Sequence, residues 1–247
     1  MPGEGVPRPT ATLDIEGEGA LGALRRRIER CRRCPRLVRY RETLARQGEA
    51  RTGEPHWGRP VAGFGDVEAY LVVVGLAPAA RGANRTGRIF TGDRSATFLM
   101  RGLHSVGLAS QPDSVSRTDG LRLRDVYITA AVRCVPPGNR PDPGEARNCR
   151  PYLVEEFRSL RHVRAVLALG GFAWDQSRRA LEVAFEIPYP RSPFRHGGRV
   201  APGPAVPVLW GSYHPSPRNT QTGLFTFDMF HQLLRRILKD ASLPAPP

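Results

Sequence analysis

The chain has 247 residues, 40% of them hydrophobic, which is enough for one α/β domain with a sizeable core or for two small domains. Its formal net charge is +14, and all but one of its 37 basic residues are arginine, so a nucleic acid or another polyanion is the expected partner. The first 20 residues contain one basic residue and no apolar run, and no stretch of about 20 apolar residues occurs, so we expect neither a signal peptide nor a transmembrane helix.

Residues 1–18 are rich in Gly, Pro and Glu and are expected to be disordered, and residues 242–247 form a Pro-rich tail. Between them, strands alternate with helices, which predicts a central, mostly parallel sheet with right-handed crossovers. In chain order, the predicted elements are a helix over Leu21–Arg33 that Pro35 helps to stop, a strand over Tyr70–Gly75, a helix over Ser95–Val106 with Ser95 as N-cap, a strand over Val126–Val132, a helix over Pro143–Leu160, a strand over Ala165–Leu169, a helix over Phe172–Phe185, a strand over Pro207–Gly211 and a helix over Phe225–Leu238.

The only four cysteines fall into two clusters, Cys31 with Cys34 and Cys134 with Cys149. Two disulfides, four unrelated core cysteines, a tetrahedral zinc site and an iron–sulfur cluster are all compatible with four cysteines. The first pair is separated by two residues, a spacing that favours a metal, but spacing alone does not distinguish zinc from iron–sulfur.

Arginines surround the first cysteine pair. Eight of them lie between Arg25 and Arg39, with Glu29 as the only acid. A high-GC coding sequence would raise the arginine content without a functional cause, but it explains this clustering less well. Cationic neighbours stabilise thiolates and also bind phosphates, so the segment is a candidate for either role.

In parallel sheets the reactive loops follow the carboxyl ends of the strands. The first such loop, residues 75–93, is rich in glycine and contains the donors Asn84 and Arg85, an aromatic ring at Phe90 and a single carboxylate at Asp93. Loops of this length are usually functional or disordered. The alternative is a surface loop in which Asp93 only caps the next helix.

The second and third loops add further polar candidates. Residues 133–142 follow a strand and contain Asn139, which is either a site amide or only a turn residue. In residues 211–223, His214 lies between two small hydroxyl side chains and precedes a proline, which favours a histidine that points out of the fold.

Four segments, together with the four cysteines, resemble the uracil-DNA glycosylase superfamily, and specifically its family 5, which carries an iron–sulfur cluster. The segments are Gly75-Leu-Ala-Pro, Phe90-Thr-Gly-Asp, Ser212-Tyr-His-Pro-Ser and Asn219-Thr-Gln-Thr-Gly. The resemblance runs from about Cys31 to Leu238. It implies one glycosylase-like domain over residues 19–241, with a four-stranded parallel sheet flanked by helices. It also implies a structural [4Fe–4S] cluster on Cys31, Cys34, Cys134 and Cys149.

The activity implied by the resemblance is DNA base-excision repair. Such an enzyme flips uracil, and other deaminated bases such as hypoxanthine, out of DNA and hydrolyses the N-glycosidic bond, which leaves an abasic site. By resemblance, His214 donates to uracil O2 and Phe90 stacks on the base. Asp93 orients or activates water or stabilises the cationic sugar, and Asn139 is the remaining pocket amide.

The resemblance also assigns the surrounding residues. Ala77 and Ala130 stand where many superfamily members carry polar groups, which implies a pocket less selective for uracil. The base-binding set is Gly75, Leu76, Ala77, Phe90 and Ala130. The DNA-binding set is Asn84, Arg85, Ser212, Ser216, Arg218 and Asn219.

Several wider expectations follow from the same resemblance. The partner is DNA, expected to be double-stranded, and the protein is expected to be a monomer without membrane contact, in the bacterial cytoplasm at the nucleoid. A second hypothesis is a non-catalytic, zinc-stabilised DNA-binding module. It would use the same cysteines and arginines but would not need Asp93 or His214.

Overall fold

A mixed six-stranded sheet lies at the centre of the computed structural model, which describes residues 19–241. The expected disordered segment 1–18 and the Pro-rich tail 242–247 lie outside the described residues. The strands occur in the spatial order β1-β3-β2-β4-β6-β5. They are β1 (Phe64–Gly65), β2 (Leu71–Gly75), β3 (Val126–Ala130), β4 (Ala165–Leu169), β5 (Arg199–Val200) and β6 (Val208–Ser212).

The prediction of a four-stranded parallel sheet requires correction. All four predicted strands are present within two residues of their predicted bounds, and they pair in parallel as β3-β2-β4-β6. However, β1 and β5 add antiparallel pairs at the two edges, so the sheet is mixed and has six strands. Each added strand has only two residues, which is too short for a hydrophobic alternation to be visible in the sequence.

Helices flank the sheet on both faces. They are α1 (Ala20–Glu29), α2 (Pro35–Thr52), α3 (Ala83–Thr86), α4 (Arg94–His104), α5 (Pro143–Ser159), α6 (Gly171–Phe185), α7 (Pro217–Gln221) and α8 (Phe227–Asp240). None of the predicted helices corresponds to α2. Pro35, expected to help stop the first helix, instead occupies the first turn of α2, where a missing N–H costs nothing.

Alternate residues of the central strands face opposite sides of the sheet. Leu71 and Val73 belong to a core with α4 and α8, whereas Val72 and Val74 belong to a second core with α5 and α6. This burial on both faces explains the continuous apolar runs. No helix within residues 19–241 is long and apolar enough to cross a membrane.

The strand order creates a crevice beside β2. The chain passes from β2 to β3 on one side and then returns to β4 on the other side of β2. In open parallel sheets, a reversal of this kind leaves a crevice at the carboxyl ends of the two strands, where ligands bind. The loops after β2, β4 and β6 are therefore the ones that position the site.

Candidate active site

Phe90 lies directly against the end of β2. Gly75, the last residue of that strand, leaves space for the ring, since a Cβ at this position would lie 2.7 Å from Phe90 Cε2. Phe90 is 8% exposed, and its φ of +47° is in the left-handed region, which non-glycine residues rarely adopt. The surrounding structure must therefore hold the backbone of this residue in place.

A buried polar clamp on both sides of Phe90 does this. Arg88 donates from Nε to Thr91 Oγ1 over 2.9 Å, and from Nη2 to Ser114 Oγ over 2.8 Å and Asp119 Oδ2 over 2.6 Å. Thr91 and Ser114 also share a hydrogen bond of 2.6 Å. The residues that flank the aromatic ring are thus fixed to a separate segment of the chain.

Asp119→Asn is expected to lower the free energy of unfolding by about 1.5–3 kcal/mol, because it removes the charged partner of the buried Arg88. Burial favours a raised pKa for Asp119, but the Arg88 and backbone N–H hydrogen bonds outweigh it and lower the pKa. The carboxylate therefore stabilises the fold at neutral pH, and this contribution is lost as the pH falls through the lowered pKa. Urea unfolding should show the variant and the native protein converging in acid, whereas Asp113→Asn, an exposed control, should change little at any pH.

His214 faces Phe90 across the site. The two ring centroids are 6.1 Å apart and the ring planes differ by 32°. His214 follows β6 and lies beside the end of β4, where a Cβ at Gly170 would be 3.6 Å from His214 Cβ. Asn219 Nδ2 donates to the His214 carbonyl over 2.8 Å, which fixes this segment to the start of α7.

Burial lowers the pKa of His214 to about 4. The imidazole is therefore neutral near pH 7, with one N–H donor and one acceptor nitrogen. The N–H of the neutral imidazole, if it is aimed at an oxygen, can stabilise negative charge that develops on that oxygen by donating a hydrogen bond to it.

The low pKa of His214 predicts acid sensitivity. Since the unfolded-state pKa is about 6.5, the unfolded chain binds this proton first, so stability is full above that pH and declines as the pH falls toward 4. Between pH 7 and 5 this histidine should account for about 2 kcal/mol of lost stability. Urea unfolding at both pH values should show a smaller loss in His214→Gln but not in the exposed control His104→Gln. Burial also lowers the pKa of His196, but that contribution is common to all three proteins.

Asp93 ends the first loop and begins α4. Its Oδ1 accepts from the backbone N–H of Ala96 over 2.9 Å, so Asp93, and not Ser95 as predicted, is the N-cap. A Cβ at Gly82 would collide with Asp93 Oδ2. Burial raises the Asp93 pKa, opposed by backbone hydrogen bonds and by the charge of Arg85. The part of the alternative that makes Asp93 the cap of the next helix is therefore confirmed. The chemical role expected for Asp93 is a separate prediction.

Two residues of the predicted DNA-binding set are buried instead of facing a ligand. Asn84 is 1% exposed and donates from Nδ2 to the Arg41 carbonyl, and Ser212 is fully buried and donates to the Tyr213 carbonyl. These positions do not support direct DNA contact. Burial follows from partners elsewhere in the fold, which the local sequence does not reveal.

The other members of that set lie nearer the surface. Arg218 is exposed, Ser216 caps α7 through the N–H of Asn219, and Asn219 supports His214 as described. Arg85 Nε donates to the Arg81 carbonyl within the first loop. Within this predicted set, Arg218 and Arg85 are the residues that offer positive charge to a DNA strand.

The remaining predicted base-binding and catalytic residues occupy different places. Leu76 is half-buried and its carbonyl accepts from the backbone N–H of Val132, and Ala130 is buried in the same core as Phe90. Ala77 contacts the cysteine group. Asn139 is exposed in the short turn Pro137–Asn139, and no hydrogen bond joins it to Phe90 or His214 in the part of the chain that the structure describes.

The four cysteines come together although 99 residues separate the two clusters in the sequence. Cys34, Cys134 and Cys149 share one apolar group, and Cys31 borders the neighbouring one. Burial raises the pKa of Cys134 to about 11 and that of Cys149 to about 12, with further increases from the charges of nearby cysteines. All four are free thiols, so the disulfide alternative is not supported.

Four cysteine thiols are a ligand set that suits an iron–sulfur cluster and also a structural zinc ion. No set of three or more His, Cys, Asp or Glu side chains within residues 19–241 is arranged to hold one metal ion.

N–H donors surround the sulfurs. Arg41, 2% exposed, donates from Nη1 to Cys134 Sγ over 2.9 Å and to the Cys31 carbonyl over 3.2 Å. Asn148 Nδ2 lies 3.4 Å from Cys34 Sγ. Sequence reasoning missed both donors, as it missed the clamp at Arg88. The only signal was the arginine-rich composition around the first cysteine pair.

Comparison with known proteins places the chain in a family. Residues 62–238 match the family model for the uracil DNA glycosylase superfamily. The type-5 uracil-DNA glycosylase of Mycobacterium bovis is 47% identical over 229 residues, which cover 92% of this chain and 84% of the relative. The type-5 enzyme of Thermus thermophilus is 48% identical over 213 residues, covering 86% and 94%. The chain therefore belongs to the uracil DNA glycosylase superfamily, together with the type-5 uracil-DNA glycosylases.

Proposed function

We propose that this protein is a DNA N-glycosylase that removes uracil, and other deaminated bases such as hypoxanthine, from DNA in base-excision repair. The observation that carries the proposal is the facing pair of Phe90 and His214 at the carboxyl ends of the strands, with Asp93 on the same loop as Phe90. The type-5 relatives named above are uracil-DNA glycosylases.

These three side chains suit the cleavage of a base–sugar bond. Phe90 offers an aromatic face for a flipped base, a contact worth roughly 1–3 kcal/mol in nucleic-acid binders. As the N-glycosidic bond breaks, its electron pair leaves with the base, and the neutral His214 donates a hydrogen bond to the oxygen that gains charge.

Water completes the reaction at the sugar carbon. Asp93 Oδ1 is used in the helix cap, so Oδ2 is the atom that accepts a hydrogen bond from the attacking water and, as the C–O bond forms, its proton. The same carboxylate stabilises positive charge on the sugar before attack. No polar side chain is needed at Ala77 or Ala130 for this scheme, which agrees with a broad base specificity.

The proposed cofactor is a structural [4Fe–4S] cluster on Cys31, Cys34, Cys134 and Cys149. Four free thiols with N–H donors from Arg41 and Asn148 support it. Four thiolates occupy every protein ligand position of such a cluster, so it would join the segments before α2, after β3 and within α5 without binding substrate. Anaerobically purified protein should be brown and contain iron and acid-labile sulfide. Colourless protein with one zinc would instead favour the non-catalytic module.

The proposal extends to the form of the substrate and the state of the enzyme. The protein is proposed to act as a monomer on double-stranded DNA, in the bacterial cytoplasm at the nucleoid. Its net charge of +14 and its similarity to the type-5 relatives support this proposal.

The deciding experiment uses a labelled duplex with one uracil, incubated with the protein and then treated with alkali. A strand break at the uracil position is expected, and a duplex with thymine at that position is the control. If no break appears over several preparations that contain the intact cofactor, the glycosylase proposal is wrong.

A further inference from the structure

A charged cavity lies between the cysteine group and the first active-site loop. Its volume is about 460 Å³, which is large enough for a nucleotide unit. The end of α1, the middle and second half of α2 and residues 56–59 form its walls. None of the residues assigned to the reaction lines it.

The charge of the lining is unbalanced. The three glutamates that line the cavity are already engaged: Glu29 with Arg25, Glu42 with Arg32, and Glu49 with the backbone N–H of His56. By contrast, Arg30, Arg46 and Arg59 line the same cavity and have no carboxylate within 4.0 Å among residues 19–241. The cavity therefore offers exposed guanidinium groups that are not neutralised by a carboxylate, which suits a phosphate.

An aromatic ring adds a second kind of contact. Trp57 is half-buried in the wall of the cavity, with the guanidinium of Arg117 at 4.7 Å and that of Arg59 at 5.5 Å from its ring centroid. Guanidinium groups beside an aromatic face are the combination that binds single nucleic-acid strands.

The cavity wall is bonded to the active-site loop. The N–H of Trp57 donates to the Arg85 carbonyl over 2.9 Å, and the N–H of Gly58 donates to the Asn84 carbonyl over 3.0 Å. A Cβ at Gly87 would lie 2.8 Å from the Trp57 ring. The same loop carries Phe90 and Arg85, so the cavity adjoins the loop to which DNA binding is proposed.

We infer that the cavity is a second DNA-binding site, which holds the phosphate backbone of a segment flanking the excised base through Arg30, Arg46 and Arg59. The inference rests on the proposed function in taking DNA as the substrate. It assigns binding, and no chemical step, to these residues.

The test compares two double variants. Arg46→Gln with Arg59→Gln removes two cavity charges. Arg122→Gln with Arg161→Gln removes two exposed charges that precede β3 and β4, at the amino ends of the parallel strands and so opposite to the end that carries the site. Fluorescence anisotropy with a labelled undamaged 30-base-pair duplex over a salt series gives affinity and salt slope. The cavity variant should bind about tenfold more weakly, with a slope smaller by about 1–2, whereas the control pair should match the native protein.

Duplexes of increasing length on one side of the uracil locate the contact. The difference between the cavity variant and the native protein should be absent with short flanks and appear once a flank reaches the cavity, while the single-turnover excision rate at saturating enzyme stays unchanged. Equal salt slopes for the two double variants overturn the inference. The inference is also overturned if the cavity variant binds a deoxynucleoside monophosphate more weakly than the native protein does but binds DNA equally well. Because the anisotropy uses undamaged DNA, a failed excision assay leaves this result readable.

Discussion

Asp93→Asn is expected to lower the single-turnover rate of uracil excision by about 10²-fold or more, with little change in DNA affinity. The amide cannot take a proton from water or stabilise a cationic sugar by charge. It can still accept the hydrogen bond from the Ala96 N–H, because asparagine is as good an N-cap as aspartate. The fold should therefore remain intact while the chemistry fails.

Two further variants separate chemistry from capping. Asp93→Ala loses both functions and should also destabilise the protein by about 1 kcal/mol. Asp142→Asn makes the same chemical change at the N-cap of α5, away from the site, and should keep the native rate. Rapid-quench assays on uracil duplexes, with binding measured in parallel, give the comparison. If Asp93→Asn excises uracil at the native rate, the carboxylate serves only as a cap.

The strands were predictable because burial on both faces produces apolar runs that few other structures share. Leu71–Gly75 and Ala165–Leu169 are buried at every position. The two-residue edge strands have no such signal: Arg199 is exposed while Val200 is buried, as in many loops. The paired partner that makes them strands lies elsewhere in the sequence.

Helix α2 was missed for a physical reason that concerns the site. Its buried stripe includes Leu37 and Ala45, but Arg41 lies between them at the same helical spacing. A charged residue at a core position breaks the apolar periodicity on which helix prediction depends. Arg41 is buried because it donates to Cys134 Sγ and the Cys31 carbonyl, contacts that no local pattern announces.

For the site, the order of motifs identified the loops better than it identified the direction of each side chain. Phe90 and His214 face each other as the hypothesis requires. The side chain of Asn84 points into the fold because it donates to the Arg41 carbonyl, and this partner is 43 residues away in the chain. Asn139 follows a strand as a site residue would, yet lies exposed in a turn with a φ of +56°. Strand ends can be located from sequence, whereas hydrogen-bond partners across the fold cannot.

Arg133→Met is expected to lower the free energy of unfolding by about 3–5 kcal/mol, the cost of leaving a buried charge without its partner. The side chains of Arg133 and Glu156 are each 1% exposed, and Arg133 Nη2 lies 2.5 Å from Glu156 Oε2, so the substitution leaves a buried carboxylate without its cation. Glu156 also accepts from the Thr129 and Tyr127 hydroxyls, but neutral donors do not balance its charge.

Removing both charges should recover part of the loss. The double variant Arg133→Met, Glu156→Met leaves no uncompensated charge, although Tyr127 and Thr129 lose an acceptor, so recovery is incomplete. Arg27→Met, in the exposed pair with Glu155, should cost less than about 1 kcal/mol. Urea unfolding of the four proteins provides the measurement, and a cost of Arg133→Met as small as that of Arg27→Met would show that the buried ion pair stabilises the fold no more than an exposed one.

An iron measurement on the same variants connects the core to the cysteine group. Arg133 immediately precedes Cys134, its backbone N–H bonds Cys149, and its carbonyl accepts from the Val61 N–H over 2.7 Å. Loss of the buried ion pair should therefore loosen the loop that carries Cys134. If the proposed cluster is bound there, iron content should fall in Arg133→Met more than in Arg27→Met. Unchanged iron in a strongly destabilised Arg133→Met protein would mean that the cysteines hold their positions independently of the Arg133–Glu156 ion pair.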